Sequence, residues 1–162
     1  MSRDFIPERA KKSDYDSIVA LLHTTNLPPD GIKPHLENFL VIRHPNSVAG
    51  SELLIGSAGL EVYGGSALLR SLAVHPDFQG AGLGARLVDS IIELAKEKGI
   101  TRLFLLTDTA EEYFVKKQFV VVTRDSVPED MKQSIEFTTL CTSALSMMRE
   151  IRKQHSSRTL DE

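Results

Sequence analysis

Leu72-Ala73-Val74-His75-Pro76-Asp77-Phe78-Gln79-Gly80-Ala81-Gly82-Leu83-Gly84 is the stretch that decides the fold. An apolar run of strand type stops at His75-Pro76-Asp77, and glycines then recur at positions 80, 82 and 84. From Leu83 onward the apolar residues Leu87, Val88, Ile91, Ile92 and Ala95 return at helical spacing. A strand, a glycine loop and a helix follow one another without a break. Glycines let a backbone curl and approach a ligand closely. The first turn of a helix adds N–H groups without intrahelical partners and the positive end of the helix dipole. Such a loop suits a phosphate or pyrophosphate. Its spacing is not the dinucleotide fingerprint G-x-G-x-x-G, and no Lys-Ser/Thr pair follows as a Walker A loop requires, which disfavours NAD and ATP.

Upstream of this stretch, Phe5 to Arg9 reads as a short first strand, and Asp14 to Leu22 as a helix with Ser13 as its cap and Ile18, Val19, Leu21 and Leu22 at helical spacing. Thr24 to Gly31 carries Asn26, Pro28, Pro29, Asp30 and Gly31, which break regular structure, so a loop able to cover a site is expected there. A short amphipathic piece at Ile32 to Leu36 follows. Phe39 to Arg43, Glu52 to Val62 and Ala67 to Val74 are strand-like, and Tyr63-Gly64-Gly65-Ser66 is a hairpin signal between the last two.

Downstream, Gly99 closes the helix, as a C-terminal glycine does. Thr101 to Thr107 has the length of a strand, Thr109 to Lys117 reads as a short helix, and Phe119 to Thr123 as another strand. Beyond Asp125 lies a polar stretch of helical character, then a last strand candidate at Ala144 to Met148 and a charged end from Arg149 that is expected to fray. The pattern places the chain in the α/β (α+β) class, with one domain over residues 1–150 and a charged, flexible tail over 151–162.

Bulk properties agree with one compact core: 162 residues, 41% hydrophobic and 25% charged. A formal charge of -3, with acidic and basic residues interleaved, leaves no basic surplus for tracking phosphate backbones, so nucleic acid is not expected as a partner. The single cysteine, Cys141, cannot close an internal disulfide, and no N-terminal basic segment leads into an apolar run, which favours a cytoplasmic protein. No apolar stretch approaches the ~20 residues a bilayer span needs, so no membrane association is expected. The histidines show no ligand spacing with Cys141 or with one another, and no metal is expected.

Taken together, Leu72 to Phe78 followed by Gln79 to Gly84 resembles the acetyl-CoA motif Q/R-x-x-G-x-G/A of the GNAT (GCN5-related) N-acetyltransferase superfamily. The segment Ala110 to Phe119 is similar to the family's A-x-x-F-Y-x-K-x-G-F, so the resemblance spans most of the chain. It implies a mixed, mainly antiparallel sheet whose strands ending near Val74 and beginning near Arg102 splay apart to leave a slot for acetyl-CoA. It also implies that the backbone of Leu72, Ala73 and Val74 meets the pantetheine arm, that the Val74 amide polarises the thioester carbonyl, and that Gln79, Gly80, Ala81, Gly82, Leu83 and Gly84 hold the pyrophosphate, with Thr107 and Phe114 lining the slot. A donor aimed at a developing oxyanion contributes about 3 kcal/mol. Three narrower pieces, Leu68 to Val74, Leu105 to Ala110, and Glu136-Phe137 with Leu140-Cys141 and Ser143-Ala144, together resemble arsenic-resistance-type acetyltransferases, and the Leu105-Leu106-Thr107 strand end with the aromatic-bearing helix after it is similar to the acetyltransferase domain of N-acetylglutamate synthases. Both groups imply a small amine, an amino acid or a glutamate-like analogue, as acceptor.

Where many family members carry the tyrosine that protonates the leaving thiolate, this chain has Phe114, with Tyr113 one position earlier as a candidate donor or a packing residue. An amine arrives protonated and must lose a proton before it attacks. Glu61, near the end of its strand, is the candidate base, against the alternative of a solvated carboxylate on an alternating strand. Arg70 interrupts an apolar run, and a guanidinium is rarely buried without an anion. Its partner is expected to be a substrate carboxylate or Glu61 itself. Two further readings stay open: a catalytically silent acetyl-CoA-binding module, and an acetyltransferase for a protein lysine or N-terminus. An uncovered sheet edge would offer a surface for homodimer pairing.

Overall fold

The computed structural model describes residues 5–47, 53–140 and 143–152. Its frame is one seven-stranded sheet of order β1-β2-β3-β4-β5-β7-β6. The strands are β1 (Glu8–Arg9), β2 (Phe39–Arg43), β3 (Leu54–Tyr63), β4 (Ser66–Val74), β5 (Arg102–Thr107), β6 (Val120–Val122) and β7 (Leu145–Glu150), and the helices α1 (Tyr15–Thr24), α2 (Leu83–Glu97) and α3 (Glu111–Lys116). Every neighbouring pair runs antiparallel except β4 and β5. That exception follows from connectivity, because a strand that leaves through a helix and returns beside itself lies parallel.

Side-chain alternation sorts the sheet into two faces. One face, with Ala58, Leu60, Leu69, Leu103 and Leu105, packs on the apolar stripe of α2 formed by Leu87, Val88, Ile91 and Ala95. The other face is shared by two smaller clusters. Ile18 and Leu22 from α1 and Ile32, just before the 3-10 turn at Lys33–Asn38, pack on Phe39 and Val41. Val127, Met131 and Phe137 from the segment before β7 pack on Leu68 and Phe104. Gly59 permits one tight crossing, since a Cβ there would run into the Phe39 ring.

The three helices end alike. At α2, the Gly99 N–H reaches the Lys96 carbonyl at 3.0 Å and the Ile100 N–H the Ala95 carbonyl at 2.9 Å, with Gly99 at φ +75°. This is the Schellman pattern. The same pair of bonds closes α1 through Asn26 (φ 61°) and α3 through Gln118 (φ 72°). The glycine missing before Phe119 thus stood at a position that favours it, and a glutamine occupies a left-handed conformation there.

The structure differs from the sequence reading at several boundaries. The first strand is only Glu8–Arg9, and Phe5 lies in a 3-10 turn. The polar stretch past Asp125 breaks into short 3-10 turns at Arg124–Ser126 and Met131–Gln133 and a π turn at Glu136–Leu140. β7 runs on to Glu150 instead of fraying from Arg149, because Arg149 pairs with Leu103 and donates to the Lys117 carbonyl at 3.0 Å. Ile151 is buried in the main core. Cys141 and the tail beyond Arg152 lie outside the described residues. No helix among the described residues is long and apolar enough to cross a membrane.

Candidate active site

β4 and β5 are hydrogen-bonded only from Ser66 opposite Arg102 to Leu69 opposite Leu105. Past that point a bulge interrupts β4: Gly59 faces Arg70 while Ser57 faces Ala73, so one residue of β3, Ala58, is matched against two of β4, Ser71 and Leu72, with Ser71 at φ +60°. A bulge bends its strand and leaves a residue unpaired. The two strands separate and bound a cavity of about 680 Å³, lined on one side by residues 69–74 and on the other by residues 105–110.

At one end of this cavity lies the glycine loop. Gly80 (φ 87°) and Gly82 (φ 82°) are left-handed, with open space where a Cβ would sit, and Gly82 caps the fifteen-residue helix α2. Its orphan N–H groups face outward with the dipole behind them. The Gln79 side-chain amide donates to the Val74 carbonyl at 3.0 Å, tying the loop to the end of β4. Tyr113 stands beside this loop: a Cβ on Gly84 would meet its hydroxyl at 3.5 Å, and its ring sits edge-on to Phe114. Burial, with Asp89 adding, pushes the Tyr113 phenol above its usual range. Phe114, 7% exposed, presents a ring without a hydroxyl to the cavity.

The other end is polar and closed over. The Arg70 guanidinium donates through Nη1 to Glu61 at 2.9 Å, through Nη2 to the Pro28 carbonyl at 3.3 Å, and through Nε to Ser71 Oγ at 3.2 Å, and it pairs with Glu136 at 3.2 Å. Its side chain is 0% exposed. The Tyr63 hydroxyl also donates to Glu61. Burial pushes the Glu61 carboxyl up, but hydrogen bonds from Ser134, Tyr63 and Arg70 and the guanidinium charge outweigh it and hold the group below the usual carboxylate range. Burial and the hydrogen bond to Glu61 push the Tyr63 phenol up. His35, whose ring lies 6.5 Å from that of Tyr63, is held below its ordinary value chiefly by burial, with Glu61 opposing and Arg70 adding. Two loops meet over this cluster, since a Cβ on Gly31 would strike Ile135 at 2.7 Å and approach Arg70 Nη1 at 3.6 Å.

Residues 10–117 match the Acetyltransferase (GNAT) family. The chain belongs to this family. An amino-acid acetyltransferase of Ralstonia nicotianae is 37% identical over 100 residues, covering 60% of this chain and 21% of that protein. One from Neisseria meningitidis is 30% identical over 115 residues, 70% of this chain and 24% of that protein. Among solved structures, N-acetylglutamate synthase from Neisseria gonorrhoeae complexed with coenzyme A and N-acetyl-glutamate superimposes with a TM-score of 0.74 at 25% identity, over 91% of this chain and 35% of that one. Rv2747 from Mycobacterium tuberculosis, in complex with CoA and NLQ, shares the fold with a TM-score of 0.73 at 22% identity, over 91% of this chain and 99% of that one. The chain thus spans about a quarter or less of the curated relatives named here.

Against this GNAT frame the sequence candidates fall into two groups. Leu72, Ala73, Val74, Gln79, Thr107, Tyr113 and Phe114 border one cavity, and Gly80 to Gly84 lie at its end around the start of α2. Arg70 also lines the cavity, beside Glu136, and Glu61, bonded to Arg70, is buried and does not line it. Sequence reasoning missed the Ser71 bulge, the roles of Tyr63 and Ser134, and Glu136 as a second carboxylate on Arg70. The adjacent polar pair Arg70-Ser71 inside an apolar strand was the available signal for the bulge, because it breaks strict alternation. No local signal marks Glu136, which reaches Arg70 from 66 residues downstream (136 minus 70). Among the described residues no three His, Cys, Asp or Glu are grouped as a metal site needs.

Proposed function

We propose that this GNAT domain transfers the acetyl group of acetyl-CoA to the α-amine of an amino acid. The single observation that carries the reading is the continuous cavity between the parted ends of β4 and β5, with a left-handed glycine cradle at one end and a buried polar cluster at the other. The cradle fits an anion, because open space lies where a Cβ would stand on Gly80 and Gly82, at the N-terminus of α2. On this reading Gln79, Gly80, Ala81, Gly82, Leu83 and Gly84 hold the pyrophosphate, and Tyr113, placed against Gly84, stands nearer those phosphates than the thioester. Leu72, Ala73 and Val74, past the last β4–β5 pair, hydrogen-bond the pantetheine arm, with Thr107 and Phe114 walling it. The Val74 N–H polarises the thioester.

Arg70 and Glu61 act on the acceptor. Glu61, held low in pKa and bonded to three donors, is a weak proton acceptor, so we assign the Glu61–Arg70 pair a positioning role and deliver the amine's proton to water in the cavity. Arg70 is the cation toward which the acceptor's α-carboxylate is drawn. The likeness to amino-acid acetyltransferases supports this class of acceptor. Closure of residues 25–28 over the cavity, with Pro28 bonded to Arg70, favours a small molecule over a peptide, which needs an open groove.

Thiol release from acetyl-CoA, measured against amino acids, polyamines and peptides, tests the proposal. Release is expected with α-amino acids and to fall about 100-fold in kcat/KM for Arg70→Ala and about tenfold for Glu61→Gln. Release with peptides alone would transfer the reading to protein acetylation. Tight acetyl-CoA binding without release from any amine would make the domain a silent binding module.

A further inference from the structure

A serine inside the sheet holds the place where β4 departs from regular pairing. Ser57, on β3, is 0% exposed, and its hydroxyl donates to the Ser71 carbonyl at 2.8 Å. Ser71 is the bulged residue of β4, at φ +60°. A residue with a Cβ is strained there, and such strain persists only where the surroundings fix it. Two groups fix it here: Ser57 holds the carbonyl, and Arg70 Nε donates to Ser71 Oγ at 3.2 Å. Beyond the bulge β4 is anchored again, with Ala73 opposite Ser57, Val74 opposite Gly56, and the His75 N–H on the Ile55 carbonyl at 2.9 Å.

Successive amides of a strand point to opposite edges, so a shift of one residue in register reverses which of them face outward. The extra residue in β4 is such a shift, and it falls just before Ala73 and Val74 on the cavity wall. Were the turn at Ser71 to flatten, amides that open onto the cavity would swing toward β3. We infer that Ser57 is a positioning residue for acetyl transfer, whose hydroxyl locks the Ser71 turn and so fixes which amides of β4 meet the thioester and the pantetheine arm. The inference rests on the acetyl-transfer reading above and deepens it. Ser57 does not line the cavity and acts through Ser71, which does. Arg70 holds the same serine by its side chain, so the turn also ties the β4 edge to the polar cluster.

Ser57→Ala removes the donor and leaves the side-chain volume nearly unchanged. In folded protein, thiol release from acetyl-CoA with an α-amino acid is expected to fall at least about tenfold in kcat, since a misplacement of about 1 Å at a reacting centre costs up to ~100-fold. Ser57→Thr, which keeps a hydroxyl, should recover most of that loss. Ser71→Gly gives the decisive comparison, because glycine takes a positive φ without strain and the turn no longer depends on its clamp. In that background Ser57→Ala should lower kcat by less than about threefold. A folded Ser57→Ala protein with wild-type kcat would overturn the inference. So would an equal loss in both backgrounds, because Ser57 would then not act through the turn. If Ser57→Ala alone does not fold, recovery of fold and turnover in the Ser71→Gly background supports the clamp, and failure to fold there too overturns it. Wild-type protein that releases no thiol with any amine would remove the inference together with the reading beneath it, and no variant is needed to see that outcome.

Discussion

Arg70 is held from four directions and fully enclosed, so its energetics are those of a buried charge whose partners were desolvated with it. Removing one member of such a group costs more than the group contributes, because the remaining charges stay buried without a counterion. Arg70→Met, close in length and apolar, should therefore destabilise the fold by about 3–5 kcal/mol at pH 7. The pH dependence gives the prediction its signature. In the wild-type protein Glu61 is held below its ordinary value, so its contribution is full above the unfolded pKa and is lost only as pH falls through the lower folded value. In Arg70→Met Glu61 loses the guanidinium's hydrogen bond and charge while its burial persists, so its folded pKa rises from the wild-type value and protonation relieves part of the penalty as pH falls. Urea titrations at pH 7 and pH 5 should show a smaller gap between variant and wild type at pH 5. A gap that stays constant would mean that Arg70 acts by packing alone.

The elements were legible where periodicity and turn chemistry agreed. α2 was readable from Leu83, Leu87, Val88, Ile91, Ile92 and Ala95, all buried on one face, and from Gly99 as its stop. The hairpin at Gly64-Gly65 joins β3 and β4 as its sequence implies. What escaped was structure fixed by distant partners. Residues 124–140 make short 3-10 and π turns because they drape over Leu68 and Phe104, an arrangement no local period encodes. The acceptor end was half legible, since Arg70 announced a buried anion but its second carboxylate arrives from that draped segment. At the end of α3 a departure from the family pattern turns into a stability prediction. Gln118 sits at φ 72°, where a residue with a Cβ is strained by about 1–2 kcal/mol and glycine is not. Gln118→Gly should stabilise the protein by about 1 kcal/mol, somewhat less than the full strain because glycine also gains entropy when unfolded. For a chain of this length, calorimetry should show the midpoint rising by about 2–4 °C. A drop instead would mean that the Gln118 side chain makes a contact worth more than the strain.

At the scale of the whole molecule the sheet is two antiparallel halves, β1-β2-β3-β4 and β5-β7-β6, joined by the first residues of β4 and β5, by the packing of α2 and by the segment before β7 that packs on Leu68 and Phe104. Past Leu69 the halves are separated by the cavity, whose opposite walls, residues 69–74 and 105–110, belong to different halves. A ligand lying in that cavity bonds to both walls and so resists their separation. On the proposed reading acetyl-CoA is that ligand, and it binds the folded chain only, because the glycine cradle, the β4 edge and the facing β5 wall exist together only in the fold. Linkage then fixes the size of the effect: at 100 times its dissociation constant it adds about 2.7 kcal/mol. That corresponds to about 5–10 °C in melting midpoint for a protein of this size. Gly82→Ala should reduce the shift sharply, since a Cβ at φ 82° distorts the cradle at the start of α2, while a free amino acid added alone should give little. Differential scanning fluorimetry with acetyl-CoA, coenzyme A and adenosine diphosphate separates the contributions. A shift with acetyl-CoA and coenzyme A that is mostly lost with adenosine diphosphate places the binding energy in the pantetheine arm between the two half-sheets. An equal shift with all three would place it at the phosphates alone, and the parted strands would then need another explanation.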